Sequence, residues 1–432
     1  MLTTLRLVFF VLPLWQKNKN VQYFTPPFNP QSPLSMSPNQ KNRIESIDVL
    51  RGIVMIIMAL DHTREYFHSG AFTADPLDLA TTTPMLYFTR WITHFCAPIF
   101  VFLSGTSIYL QSLRKTPQEL RDFLLKRGLW LIAIEWVVMS FALTFNPLYN
   151  VIIFQVIWCI GITMVVMSFL LRLPFKVILA LGLIIVLGHN LLDIPESAEG
   201  FRANLVWMFF HRAGVFPLGG GYSLFILYPF LPWMGLMFLG YCTGVYFSPR
   251  YSSAERSSIL TRLGLATVTV FVALRLLNVY GNPADWAPQK NATLTVLSFL
   301  NLNKYPPSLL FMCMTIGPAL LILAGLERVQ NGVTRVLRTY GRTAFFYYLI
   351  HFYLIHLSSA ICFFARGHSL GEAIDFASKN QFPFLFVMPG EGYSLTVTYV
   401  IWVVIVSSLY PLCRWYDRYK TGHPEKWWLS YL

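Results

Sequence analysis

The sequence predicts an all-α fold: a polytopic integral membrane protein of about ten transmembrane helices with both termini cytoplasmic. Three observations carry this. The chain is 55% hydrophobic and only 12% charged, whereas a soluble domain is about 25% charged. Ten apolar segments come close to the ~20 residues that cross a bilayer. Most of the cations fall in alternate connections between those segments, with only Arg202, Arg212, Lys290, Lys304, Arg366 and Lys379 on the opposite side. The formal net charge of +13 therefore belongs to short loops rather than to a basic stripe interleaved with aromatics, and no nucleic-acid partner is expected.

Residues 1–42 differ from the rest. Leu7–Trp15 is apolar but too short to span, and no small-residue cleavage site follows it. Residues 16–42 are rich in Pro, Asn, Gln and Ser. This part reads as a disordered or mis-started N-terminal segment, with Met36 an alternative start. The ten apolar segments follow at about 47–66, 85–110, 128–146, 150–171, 174–193, 223–247, 261–280, 306–325, 337–364 and 393–414. They define a transmembrane domain over 43–420 and a cytoplasmic tail over 421–432.

With the N-terminus inside, the inner connections collect Lys41 and Arg43, Arg114 to Arg127, Arg172 and Lys176, Arg250 to Arg262, Arg328 to Arg342, and Arg414 to Lys426. Loop 67–84 holds Asp75 and Asp78 and no cation. An odd number of spans would break the alternation. The outer loops are the long ones, and long loops tend to carry function. Gly219-Gly220-Gly221 in one of them reads either as part of an acceptor cleft or as a flexible connector. The six cysteines lie in or beside apolar runs and none forms CxxC, so they read as packing residues.

The most informative stretch begins Glu45-Ser46-Ile47-Asp48-Val49-Leu50-Arg51-Gly52 and ends in Asp61-His62. From Arg51 to His62 is eleven residues, roughly three helical turns, so the two side chains share a face and stand roughly 16 Å apart along the axis. A cation at the membrane surface and an imidazole deep in the membrane suit a ligand with an anionic head and a long thin arm, as coenzyme A has. Asp48 and Arg51 read as an anion clamp for its phosphates; the competing reading is a positive-inside anchor with a local ion pair. Asp61 and His62 read as an acid–imidazole pair for general base work, against a plain interhelical polar contact. His68, at the start of the first outer loop, is a second candidate base or simply a solvated side chain.

His94 lies at a depth similar to His62, and His351 near mid-membrane; with Trp233 and Tyr305 they are candidates for a substrate channel, with packing the alternative. Glu135 and Arg275 are charges in apolar helices that need partners. No metal is expected: His351 and His356 are five apart rather than at the i, i+4 spacing. There is no Walker, GxGxxG or GxSxG sequence.

Five segments together resemble one family. They are Ser46–Gly52 through Asp61-His62-Thr63-Arg64-Glu65, Phe95-Cys96-Ala97-Pro98 through Phe102–Ser107, Tyr228-Pro229 through Gly235 and Gly240, Lys304-Tyr305-Pro306-Pro307-Ser308, and Tyr340-Gly341-Arg342 to His351. Over about 43–420 the chain resembles the catalytic domain of heparan-α-glucosaminide N-acetyltransferase and its bacterial relatives. Arg51 and His62 also match the Arg-x10-His spacing of the acyltransferase-3 family. In that family the catalytic histidine is the one in the spacing, here His62. In the lysosomal enzyme it lies in the first luminal loop, where His68 is the nearest match.

The resemblance implies a membrane acyltransferase that moves an acetyl or other acyl group from cytoplasmic acyl-CoA to an amino sugar or other glycan on the far side. It implies acetyl-CoA as donor, a histidine that deprotonates the acceptor or carries the acyl group, and a bacterial cytoplasmic membrane as the setting. The expected partners are the lipid bilayer, acyl-CoA and the acceptor, with a homodimer an open alternative. The rival expectation is a proton-coupled transporter of a small solute.

Overall fold

In the computed structural model, which describes residues 44–430 apart from 381, each of the ten apolar segments is built around a helix. The expectations for 1–42 lie outside the described residues. The helices run in order α1 (Glu45–Phe67), α2 (Pro84–Thr93), α3 (Cys96–Ser112), α4 (Pro117–Ile134) and α5 (Ser140–Thr144). A short strand β1 (Val151–Phe154) precedes α6 (Val156–Leu170), α7 (Phe175–Gly188), α8 (Asp193–Glu196) and α9 (Leu205–Phe210). Strands β2 (Gly214–Gly219) and β3 (Tyr222–Ile226) lead into α10 (Phe230–Thr243), α11 (Ser253–Leu277), α12 (Ala292–Leu300) and α13 (Leu309–Leu326). The chain closes with α14 (Gly332–Arg342), α15 (Ala344–Ala365), α16 (Leu370–Asn380) and α17 (Leu395–Gly422).

Among the described residues, eight helical runs are long and apolar enough to cross a membrane. The other two of the ten segments fall short for opposite reasons. Helix α6 is apolar but has 15 residues, about 22 Å of helix. Helix α1 has 23 residues but carries Asp48, Arg51, Asp61, Arg64 and Glu65. It tolerates them because it is the hub of the bundle, packed against α2, α3, α13, α14, α15 and α17, so its charges face protein rather than lipid.

Two helix crossings are closer than side chains allow. A Cβ on Gly52 would stand 1.9 Å from the Leu337 carbonyl oxygen, and one on Gly341 1.8 Å from that of Asp48. Helices α1 and α14 thus meet backbone to backbone beside Arg51. Gly105 of α3 and Gly240 of α10 do the same, with Cβ positions 2.0 and 2.1 Å from the oxygens of Met237 and Phe102.

The segments 150–171 and 223–247 were expected to be helical throughout. Instead their first residues form strands of a three-stranded sheet in the order β1-β3-β2, with β1 parallel and β2 antiparallel to β3. Val151-Ile152-Ile153-Phe154 is β-branched and aromatic, but hydrophobic periodicity over so short a run does not separate a strand from a buried helix. Gly219-Gly220-Gly221 is the hairpin between β2 and β3, with φ of 88°, 60° and 84°, the left-handed region that glycine enters at no steric cost.

The two unexplained helix charges find partners. Arg275, 2% exposed, donates to the carbonyls of Ala284, Ser298, Phe299 and Asn301 and so clips the segment after α11 back onto that helix. Glu135 opens a π-helical turn, Glu135–Met139, and its Oε2 accepts from the Trp158 amide at 2.9 Å.

Candidate functional site at the C-terminal end of α1

Residues 61, 62, 64 and 65 occupy slightly more than one turn of α1, and the turn sorts them into two jobs. Asp61 bonds Arg64 at 3.3 Å and Arg90 of α2. His62 Nδ1 lies 3.1 Å from Glu65 Oε2. The other carboxylate oxygen of Glu65 is 3.6 Å from Arg64 and 3.9 Å from Arg90. Two carboxylates therefore balance two guanidiniums, and Glu65, held between both cations and the imidazole, fixes the ring. An Nδ1–H donated to Glu65 leaves the lone pair on Nε2, the tautomer a general base needs.

Adjacent helical residues point about 100° apart, so Asp61 was expected to serve His62 only through another group; here Asp61 pairs with the arginines while Glu65, three residues on, pairs with His62. Glu65 was legible as an i, i+3 neighbour. Arg90 was legible as the one Arg or Lys in the apolar run 85–110.

His62 meets α15 through His351, with ring centroids 5.5 Å apart, and Phe352 at 4.2 Å. His351 is fully buried, and its Nδ1 lies 3.1 and 2.7 Å from the carbonyl oxygens of Tyr347 and Tyr348. That nitrogen must carry the proton, so Nε2 is a bare acceptor, and it has no hydrogen-bond partner among the described residues. The hydroxyls of Tyr347 and Tyr348 and Nε1 of Trp233 are likewise buried without one. Trp233 is 5.2 Å from Tyr228, which is 5.4 Å from Tyr305.

Tyr305 and His94 line one cleft of about 480 Å³, together with Arg90, Lys304 and the arginine clip at Arg275. His94 is 1% exposed, and neither ring nitrogen has a partner among the described residues. Lys304 stacks over Tyr305 at 5.0 Å and interacts electrostatically with Asp61. The cleft thus connects through Arg90 and Asp61 to the turn that holds His62. Gly219-Gly220-Gly221 is not among its lining residues.

At the other end of α1, Arg338 of α14 pairs with Glu45. Arg51 gives Nη1 to Asp48 and Nη2 to Ser107 of α3, both at 3.3 Å, with a fifth of its side chain exposed.

His68 lies one residue beyond α1, apart from the His62 contacts. Its Nδ1 accepts from the Gly70 amide at 3.1 Å. It pairs with Tyr393, and Ser69 donates to the Tyr393 carbonyl at 3.0 Å. With Phe363 and Arg366 it encloses a cavity of about 20 Å³, room for about one water. Burial, and then the Arg64 charge, pull its pKa below the ordinary histidine value. The nitrogen that would accept a proton already holds an N–H, so this imidazole fastens a loop.

Comparison with known families supplies the class: a membrane acetyltransferase. The family model described as heparan-alpha-glucosaminide N-acetyltransferase, catalytic, matches residues 43–281, more than half of the chain, and the chain belongs to that family. The match takes in Arg51, His62, His68, His94 and Trp233 and ends before Tyr305 and His351. No curated protein matches the chain.

Proposed function

We propose that this protein transfers an acetyl or other acyl group from cytoplasmic acyl-CoA to the amine or hydroxyl of an amino sugar or related glycan on the far side of the membrane, with His62 as base. The observation that carries the reading is the His62–Glu65 pair, set in a balanced ion cluster at the outer end of α1 with the His351 ring 5.5 Å away.

His62 Nε2 takes the proton of the acceptor N–H or O–H as that atom attacks the thioester carbonyl carbon. Glu65 stabilises the imidazolium that forms. The carbon–sulfur bond breaks, and His62 returns the proton to the departing thiolate, so the imidazole ends neutral. His94, Lys304 and Tyr305 offer the acceptor its hydrogen bonds from the cleft. The donor fits what the residues leave unmet: buried polar atoms on His351, Tyr347, Tyr348 and Trp233 suit an arm that carries amides and a hydroxyl. Arg51 would hold phosphate at the inner end through its exposed face, with Ser107 fixing the guanidinium.

Purified protein given acetyl-CoA is expected to release free thiol only when a glucosamine-type acceptor is present. Solute flux without thiol release would instead favour the transporter reading. Cysteines at Asp78 and Lys290 should react with an impermeant reagent from outside and one at Gln118 should not; the reverse pattern would overturn the sidedness.

A further inference from the structure

The C-terminal end of α7 carries a second ionisable cluster that the acyl-transfer reading does not use. Asp193, Glu196 and His211 each bring one ligand-type atom within 4.8 Å of the other two. After α7 a single 3-10 turn, His189–Leu192, leads into α8, which sets the two carboxylates three residues apart, and α9 delivers His211 at its C-terminal end.

Every member of the trio has an outer partner. Asn190 Nδ2 donates to Asp193 at 2.7 Å, and Trp207 Nε1 donates to Glu196 at 2.6 Å. His189 Nδ1 stands 3.3 Å from His211 Nε2. Such outer partners are what orient metal ligands and fix an imidazole tautomer. His189 is 3% exposed and His211 is fully buried, so the imidazole pair anchors the trio in the protein interior.

The proton inventory admits a cation. With no cation bound, His211 donates Nδ1–H to Glu196 at 2.9 Å. Its Nε2 then accepts from His189 Nδ1–H. A cation on His211 Nδ1 displaces the proton there, and both rings change tautomer. His211 Nε2–H now donates to His189 Nδ1, and His189 Nε2 carries the proton. Both imidazoles stay neutral, no proton is gained or lost, and the two carboxylates acquire a counter-charge.

We infer that Asp193, Glu196 and His211 bind a divalent transition-metal ion of the zinc class, with water completing the shell. Zinc takes such nitrogen and carboxylate sets at about 2.0–2.2 Å, and the partly exposed carboxylates leave a solvent side. None of the three lines the large cleft. The ion acts structurally: it pins residues 189–211 to α7, and through Asn190, which accepts from the Leu309 amide at 2.9 Å, it steadies the start of α13. The expectation of no metal rested on the spacing of His351 and His356, a different part of the chain.

The test uses full-length protein in detergent, stripped with a chelator and titrated with Zn²⁺ or Co²⁺. Wild type and Glu199→Gln, whose carboxylate is exposed outside the trio, should each retain about one ion per chain. Asp193→Asn should retain at least about tenfold less, and Trp207→Phe, which removes an outer partner, should bind about 10–100-fold more weakly. Stripping should lower the Tm of wild type but not of Asp193→Asn. Equal metal in wild type and Asp193→Asn overturns the inference, as does less than roughly a tenth of an ion per wild-type chain. The wild-type titration stands whether or not a variant folds, and neither result bears on thiol release.

Discussion

The two ends of α1 hold their charges by different means. The N-terminal end pairs Asp48 with Arg51 and Glu45 with Arg338 of α14, beside the backbone contact of Gly52 with α14. The C-terminal end gathers Asp61, His62, Arg64 and Glu65 and borrows Arg90 from α2. Burying charge is costly unless each group is paired and hydrogen-bonded. The N-terminal end limits that cost by leaving Glu45, Arg51 and Arg338 partly exposed. The C-terminal end meets it by cross-pairing, so that losing one member strands several.

The contrast is sharpest in stability. Asp61→Ala leaves Arg64 and Arg90 buried without their shared carboxylate and should cost about 3–5 kcal/mol, the usual penalty for breaking a buried pair. Asp48→Ala, beside the part-exposed Arg51, should cost markedly less. Thermal unfolding of both variants in detergent measures the difference, and equal losses would erase the distinction between the ends. Next in size is the effect of Arg51 on donor affinity. Arg51→Ala should weaken acetyl-CoA binding roughly ten- to a hundred-fold, because losing a charged hydrogen-bond partner costs about 1.5–3 kcal/mol. Dephospho-CoA should show a smaller penalty in the variant if the guanidinium contacts the 3′-phosphate; unchanged affinity would return Arg51 to a membrane anchor.

The smallest effect belongs to the loop just past the C-terminal end. His68 is held neutral, its pKa lowered by burial and by Arg64. A histidine with a depressed folded pKa binds fewer protons folded than unfolded. Its contribution is therefore complete above the ordinary histidine pKa and is lost as pH falls below that value toward the folded one. Acidification through that window should loosen the pairing with Tyr393, and His68→Gln should remove that part of the pH dependence. Hydrogen exchange at the Ser69 and Gly70 amides reads it directly, and identical acid sensitivity in wild type and His68→Gln would contradict the assignment.

Much of this was legible in the chain. Apolar runs marked the helical segments, because burial in lipid leaves a strong compositional trace. Partner choice was not legible. His62 pairs with Glu65 rather than Asp61 because side-chain direction within one turn decides it. Arg90 and Lys304 come from distant segments that only tertiary packing brings to Asp61. The strand at Val151–Phe154 was hidden inside an apolar run, and the His189–His211 contact joins residues 22 apart in sequence, with no local pattern to announce it.

The central claim is that the imidazole at the C-terminal end of α1, His62, is the base of acyl transfer. Thiol release at saturating acetyl-CoA and acceptor, measured side by side in His62→Ala and His68→Ala protein that still binds the donor, tests it most directly. A general base contributes about 10²–10⁴ in rate, so His62→Ala should fall by that factor while His68→Ala stays within a few-fold of wild type. A dead His68→Ala and a near-normal His62→Ala would place the base in the first outer loop and contradict the account.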